Sequence, residues 1–140
     1  MSALDELKAF ERETAALAQV AGRLGWDQET MMPPGAAEQR SEEAAAIEAV
    51  LHARRTDPRR GEWLAAAAPE SAADTALLRE VRRSFDRAAR VPARLASEIA
   101  RTTSMAQGIW ARARAAEDVA AFLPTLARVV ALKRDEAAAL

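Results

Sequence analysis

The sequence predicts an all-α fold, a bundle of antiparallel helical hairpins formed by a single domain, residues 1–140. Apolar residues recur at steps of three, four or seven along most of the 140 residues, which is the spacing of one helix face. No segment shows the strict apolar–polar alternation of a half-buried β-strand. Prolines divide the chain into segments of helical length.

The first predicted helix runs from Ala3 to Leu24. Ser2 is its expected N-cap, and acidic residues in the first turn favour the positive end of the helix dipole. Gly25 is a candidate stop, although the helix could continue through Trp26 and Asp27. The predicted apolar stripe consists of Leu4, Leu7, Phe10, Leu17, Val20 and Leu24.

A double proline, Pro33–Pro34, ends this region and precedes the second helix. The residue before a proline is pushed out of the α region, so Met32 and Pro33 are expected to be extended. The second helix restarts near Gly35 and ends at Thr56–Pro58. Its predicted buried face consists of Ala37, Ala44, Ile47 and Leu51.

Four further segments are predicted to be helical. A short helix covers Arg59–Ala67, and a longer one covers Asp74–Ala89. A third begins after Pro92 and continues to Ala113, and a fourth contains Pro124 in its first turn. The last segment, "LKRDEAAAL", reaches the final residue without a stop signal. Two explanations stay open for this feature: a chain cut within a helix, or a natural terminus that frays.

The composition excludes several classes of function. Twenty basic and 21 acidic residues leave a net charge of -1, so electrostatics predict neither nucleic acid nor an anionic membrane as a partner. The absence of cysteine excludes disulfides and thiolate metal sites. With no signal peptide or apolar segment of membrane-spanning length, the expected location is the cytoplasm. Much of the apolar content is alanine, which predicts a thin core.

The residues by themselves predict no catalytic or metal-binding site. His52 is the only histidine, and it is predicted to form a surface pair with Glu48, one turn earlier, near a helix C-terminus. The sequence has no His-Glu-x-x-His, no Gly-x-Ser-x-Gly and no glycine-rich phosphate loop. The basic run Arg54–Arg60 is predicted to be a solvated turn rather than a phosphate site.

The segment "WDQETMMPP", from Trp26 to Pro34, has the most varied chemistry in the chain. Asp27 and Glu29 would point the same way in an extended backbone and roughly opposite ways in a helix. As an acid and base they would need a partner group that separates their pKa values. The favoured interpretation is that Trp26 and the methionines plug the end of a helix pair while both carboxylates cap backbone amides.

Two blocks of sequence carry a family resemblance. Trp26–Pro58, "WDQETMMPPGAAEQRSEEAAAIEAVLHARRTDP", resembles the N-terminal signature region of the carboxypeptidase Taq family, the M32 zinc metallocarboxypeptidases. Val91–Ala137 is similar to a later block of the same family in the same order. Its matching core consists of Ser104, Ala106, Gln107, Trp110, Ala113, Arg114, Phe122, Pro124 and Leu126. Val119 departs from the pattern, where an aromatic residue is expected.

The resemblance implies the N-terminal part of a larger, cleft-containing helical metallopeptidase that removes C-terminal amino acids from peptides. In that family a His-Glu-x-x-His helix and a downstream glutamate form the zinc site, and neither has a counterpart here. The chain would therefore be a wall or lid of the cleft, inactive alone, with zinc and peptide substrate belonging to a full-length member. A free-standing helical interaction module derived from that fold is the alternative. The candidate cleft-lining or docking residues are Trp26, Asp27, Gln28, Glu29, Met31, Met32 and Trp110.

The expected partner is the missing catalytic domain of the same polypeptide or a second copy of this chain. A lid without its catalytic domain would expose an apolar face, and large exposed apolar faces are uncommon on monomers. The sequence therefore predicts self-association, most simply as a two-fold homodimer.

Overall fold

A computed structural model describes residues 1–140 and confirms the all-α prediction. The helices are α1 (Ala3–Thr30), α2 (Ala37–Arg55), α3 (Pro58–Ala66), α4 (Ala72–Arg90), α5 (Ala93–Ala115) and α6 (Val119–Ala139), with a short 3-10 helix over Pro34–Ala36. No β-strand is present. None of the helices combines the length and apolar character that a bilayer crossing requires.

Side-chain caps fix the starts of several helices. The Ser2 hydroxyl accepts from the Asp5 backbone N–H at 3.2 Å, and the Asp5 carboxylate accepts from the Ser2 N–H at 3.1 Å. This reciprocal capping box satisfies two backbone donors and confirms the predicted cap. Ser71 caps α4 and Asp118 caps α6 in a similar way, each accepting one backbone N–H.

The end of α1 lies beyond Gly25, so the helix takes the second of the two predicted alternatives. A glycine inside a helix costs only about 1 kcal/mol relative to alanine, which the flanking helical turns can offset. The helix ends at Thr30, three residues before the first proline. Pro33 is extended, with φ −60° and ψ 144°, as predicted from the proline that follows it.

The start of α6 corrects the prediction for Pro124. Asp118 caps the helix, so α6 begins at Val119 and Pro124 lies in its second turn rather than its first. Proline there removes the N–H that would bond to the carbonyl of Ala120. The early cap explains why the helix begins before the position that Pro124 alone would favour.

The helices pack as two hairpins joined by a central pair. The pair α2–α5 makes the most extensive contact, followed by α5–α6 and then α1–α2. Helices α3 and α4 cover one end of α1, where Leu7, Leu64 and Val81 form the buried cluster. The partly buried residues around it are Trp63, Leu77, Leu78 and Phe85. Only 15 of 140 residues are fully buried, so the core is thin, as the alanine content predicts.

The buried face of α2 differs from the predicted one. Leu51 is buried as expected, whereas Ala37, Ala44 and Ile47 are only half-buried. The fully buried residues on this helix are Ser41, Ala45, Leu51 and His52. The buried face is therefore rotated toward the side of α2 that carries Ser41, Ala45 and His52.

Candidate functional site

The elbow, defined here as residues Trp26–Pro34, joins α1 to α2. The backbone N–H groups of Met31 and Met32 both donate to the carbonyl of Asp27, at 2.9 and 2.8 Å. These bonds satisfy one of the carbonyls that a helix end leaves free. The extended Pro33 then redirects the chain into the 3-10 turn before α2. The elbow is therefore fixed by its own backbone.

Arg40 on α2 ties the elbow to the second helix. Its guanidinium donates to the Asp27 carboxylate at 2.5 Å, to the Leu24 carbonyl at 2.5 Å and to the Glu43 carboxylate at 2.9 Å. The hydrogen bond to Asp27, supported by Glu43, raises the pKa of Arg40 against the opposing effect of burial. The interpretation of Asp27 as a cap of backbone amides is therefore wrong, because its carboxylate is held by this ion pair.

Gln28 ties the elbow to α5. Its amide nitrogen donates to the Ser104 carbonyl at 2.7 Å, and its amide oxygen accepts from the Ser104 hydroxyl at 2.9 Å. The two residues are 76 positions apart in the sequence. A reciprocal pair of this kind fixes both position and rotation, so the end of α1 is held against α2 and α5 together.

Asp27 and Glu29 do not form a carboxylate pair. Because α1 remains helical through Thr30, the two side chains point roughly opposite ways, as the helical alternative requires. Glu29 is exposed and lines a pocket of about 410 Å³ between α1, α2 and α5. Residues Ala44, Ile47 and Gln107 line the same pocket. Glu48, which also lines the pocket, is paired with Arg55, so Glu29 is the carboxylate there without a salt bridge, and it has no acid–base partner.

Trp26 and Met31 do not plug the end of a helix pair, which corrects that interpretation. Their exposed fractions are 64% and 70%, while Met32 is half-buried. The cause is the helical register: Trp26 lies about 200° around α1 from Gln28, which faces α5, so the indole faces solvent. Both exposed side chains are thus available for contact with something outside this chain.

Trp110 on α5 lies apart from the elbow. Its indole is about half exposed, with the Arg114 guanidinium 5.9 Å from the ring centroid. It lines a separate pocket of about 330 Å³ with Val119 and Phe122. Trp110 is six residues beyond Ser104, about 9 Å along α5. The structure therefore divides the candidate residues between two surfaces.

A second polar network was missed by sequence reasoning. Arg101 on α5 binds both carboxylate oxygens of Glu42 on α2, at 2.8 and 2.9 Å. Glu98 accepts from Arg128 on α6 at 3.1 Å. Hydrogen bonds from Arg101 and Arg128 lower the pKa of Glu42 and Glu98, respectively. Glu42, Arg101 and Arg128 border a cleft of about 520 Å³, so α2, α5 and α6 share an ionic surface.

The environment of His52 corrects the predicted surface pair. The imidazole is buried, and its Nε2 lies 2.7 Å from the carbonyl of Val91 at the end of α4. Glu48 binds Arg55 instead, at 3.0 Å. Since a carbonyl only accepts, Nε2 carries the proton in this contact. The prediction failed because the connection from α4 to α5 covers this face of α2.

The side chains of this chain do not fit a zinc site. Catalytic zinc needs three protein ligands, drawn from histidine, cysteine and carboxylates. Nowhere do three such side chains come close enough together to hold a metal ion.

The basic run Arg54–Arg60 is not a solvated turn, contrary to the prediction. Arg60 is almost fully buried and binds Glu11 at 2.7 Å, as well as the Arg55 carbonyl. Arg54 donates to the Thr14 hydroxyl at 2.9 Å and packs on the Phe10 ring. These arginines attach the α2–α3 turn to α1, which leaves the run little capacity to bind an external phosphate.

The comparisons with known proteins cover nearly the whole chain. Residues 6–140 match the family described as carboxypeptidase Taq (M32) metallopeptidase. The chain is 41% identical over 145 aligned residues to thermostable carboxypeptidase 1 of Thermus thermophilus. That alignment covers 99% of this chain and 28% of the relative. The chain therefore spans little more than a quarter of the curated relative that it matches.

Proposed function

Because the chain belongs to the carboxypeptidase Taq (M32) metallopeptidase family, we propose that it forms the N-terminal wall or lid of the substrate cleft in a zinc-dependent carboxypeptidase. Such an enzyme removes C-terminal amino acids from peptides. The observation that carries the proposal is the family match over residues 6–140 in a chain whose own side chains form no metal site. Zinc, when bound by a full-length enzyme, polarises the scissile carbonyl and activates water.

The elbow has two kinds of residue in this proposal. Asp27 and Gln28 are positioning residues, because each is already engaged by a partner within the chain, Arg40 and Ser104. Trp26, Glu29 and Met31 are exposed and have no comparable polar contact. They supply the surface that meets peptide or the catalytic part. The ion pair and the amide–hydroxyl pair hold that surface in place, which is how a remote wall contributes to substrate orientation.

A hybrid enzyme tests the proposal. Residues 1–140 replace the matched segment of the Thermus thermophilus relative, and release of C-terminal amino acids from a test peptide is measured by mass spectrometry. We expect activity within about tenfold of the parent relative, a barrier difference of about 1.4 kcal/mol. The unmodified relative is the positive control, and a chelator-treated sample is the negative one. A folded hybrid without activity would contradict the proposal.

The free-standing interaction module stays as a second candidate. The observation that favours it is the row of exposed large apolar residues on α6, including Val119 and Leu123. Sequencing the genomic DNA beyond codon 140 distinguishes the two. An in-frame His-Glu-x-x-His supports the cleft wall, and a stop codon without that motif supports the module.

A further inference from the structure

The solvent face of α4 is rich in arginine. Between residues 79 and 90 the helix carries five arginines and two acidic residues. The opposite face is the packed one, because Leu77, Val81 and Phe85 belong to the buried cluster and its surroundings. Four of the arginines recur at steps of four, four and three residues, which places them on one side of the helix. We name these four the arginine row: Arg79, Arg83, Arg87 and Arg90.

The arginine row is open to solvent. It lies within an arc of about 80° and extends about 16 Å along the helix. All four members are exposed, and the side chains of the first two are 73% and 71% exposed. Arg90 donates to the main-chain oxygen of Leu140 at 2.6 Å. The fifth arginine, Arg82, donates to the Leu64 carbonyl at 2.9 Å and so attaches α4 to α3 instead.

Carboxylates neutralise the arginine row only in part. Glu80 lies 3.0 Å from Arg79 and 4.0 Å from Arg83, so one carboxylate serves two guanidinium groups. The other two members of the row form no salt bridge, and Asp86 beside them is exposed and unpaired. Like charges four residues apart on a helix repel one another. The row therefore keeps a positive charge that an external anion would stabilise.

The arginines that hold the bundle together differ from those of the row. Arg40, Arg60 and Arg101 each bind a carboxylate on another helix, at 2.5, 2.7 and 2.8 Å. No member of the row has such a partner, because Glu80 lies on α4 itself. The packing of α4 therefore does not explain why arginine occupies these four positions.

The uneven distribution of charge limits the kind of partner. Residues 1–78 contain 8 basic and 14 acidic residues, whereas residues 79–94 contain 6 basic and 2 acidic ones. A long polyanion would extend past the row and meet the acidic remainder of the chain. In addition, α4 exposes no large apolar or aromatic side chain for stacking on bases or for insertion into a bilayer. These features disfavour a nucleic acid and a membrane.

A short acidic helix complements the row. Glutamates at steps of four, four and three residues lie on one face of a helix and have the same rise as the four arginines. Each guanidinium group can then donate two parallel hydrogen bonds to one carboxylate. The negative charge of such a partner ends where the row ends, so it avoids the acidic remainder of the chain.

We propose that the arginine row of α4 is a docking surface for an acidic helix of a second, different polypeptide. The proposal goes beyond the cleft-wall function and does not depend on it, because the row lies on α4 and the elbow does not include that helix. Exposed ion pairs are individually weak, so we expect a dissociation constant on the order of 1 mM at low salt. Added salt should weaken the binding, since exposed charges are screened.

Nuclear magnetic resonance titration of the isotope-labelled chain tests the docking. The probe is a synthetic alanine-based helical peptide with four glutamates at the spacing of the row, and its glutamine counterpart is the control. We expect saturable shift changes confined to residues 79–90. The dissociation constant should rise at least about fivefold between about 20 mM and about 200 mM salt. The glutamine peptide should give no saturable change.

A double variant tests whether the row itself binds the peptide. Arg83→Gln/Arg87→Gln removes two central charges, and we expect it to raise the dissociation constant by about tenfold. Arg23→Gln/Arg112→Gln is the matched control, because it removes two equally charged, exposed and unpaired arginines from α1 and α5. It should leave the dissociation constant unchanged. Circular dichroism confirms that both variants keep their helices.

Four results would overturn the proposal. Equal affinity for the glutamate and glutamine peptides would show that charge does not drive the binding. Tighter binding of a DNA duplex, or of vesicles with about 30% phosphatidylserine, would assign the row to a different partner. Shifts in α4 that depend on chain concentration without peptide would place a second copy on the row. A hybrid enzyme that does not bind the peptide would show that the rest of its own polypeptide covers the row.

None of these results bears on the carboxypeptidase activity of the hybrid enzyme. The two proposals therefore fail separately.

Discussion

The end of the bundle built from α1, α3 and α4 differs from helix α6 in how its apolar residues are used. In the first region Leu7 is completely buried, with Leu64 and Val81 beside it. In α6 only Leu132 is fully buried, although leucine and valine are frequent there. Both regions contain leucine and valine, but α6 buries a smaller part of them within the chain, where its contact is mainly with α5.

The buried polar groups show the same difference. Arg60, buried in the first region, has an ion-pair partner in Glu11 and lies 5.8 Å from the Phe85 ring centroid. The charged groups of α6, such as Arg128 and Lys133, are largely exposed. The first region therefore pairs its buried groups within the chain, whereas α6 leaves several large apolar side chains exposed. The closed region supports the fold, and the open surfaces carry the proposed functions.

The largest expected effect is a difference in the free energy of unfolding between substitutions in the two regions. Leu7→Ala should lower the free energy of unfolding by about 2–5 kcal/mol, because it leaves a cavity in the buried cluster. Leu126→Ala should lower it by less than about 1 kcal/mol, because that side chain is exposed. Urea unfolding of each variant beside the natural chain measures both losses. Equal losses would show that α6 is as well packed as the α1 end.

A buried arginine provides the next test. Arg60→Ala should lower the free energy of unfolding by about 2–4 kcal/mol, because Glu11 loses its partner in a partly buried position. The adjacent Arg59, which is exposed and pairs with Asp57, is the matched control. Arg59→Ala should cost less than about 1 kcal/mol. Similar losses in the free energy of unfolding for the two variants would show that burial does not set what each arginine contributes to stability.

The elbow contact should have an intermediate effect. A double-mutant cycle on Gln28→Ala and Ser104→Ala should give a coupling energy of about 1 kcal/mol, because the two side chains form a reciprocal pair. Trp26→Ala, beside Gln28 but exposed, should change stability by less than about 1 kcal/mol and show no coupling to Ser104. A larger loss from Trp26 would mean that the indole is buried after all.

The sequence predicts local features well, because their causes are local. The Ser2 cap and the extended Pro33 depend on neighbouring residues, and both are confirmed. The directions of the elbow side chains depend on whether α1 stops at Gly25. Glycine disfavours a continued helix by only about 1 kcal/mol, so the sequence allowed both outcomes. Once the helix continues, the exposure of Trp26 follows from its register.

Long-range contacts could not be predicted from periodicity. The partners of Arg60 and Gln28 lie 49 and 76 residues away, and no spacing rule connects them. His52 is buried by a connection 39 residues later in the chain. Periodicity also does not distinguish the apolar residues of α6 that face α5 from those that stay exposed, so that distinction required the structure.

The smallest expected effect is a pH dependence at the α1–α4 contact. Hydrogen bonds from Lys8, at 2.6 Å, and then from Ser71 lower the pKa of the Asp74 carboxyl. A folded-state pKa below the unfolded one stabilises the protein above the ordinary carboxyl pKa of about 4. That stabilisation is lost as the pH falls further. The urea midpoint of Asp74→Asn should therefore change less between pH 7 and pH 3 than that of the natural chain.

The most direct test of the central proposal, that this chain is a scaffold rather than a reaction centre, is zinc titration by calorimetry followed by a carboxypeptidase assay. We expect neither tight binding of zinc nor release of C-terminal amino acids from a test peptide, because the one imidazole is buried against a backbone carbonyl. One tightly bound zinc ion per chain, with peptide release that a chelator blocks, would contradict the account.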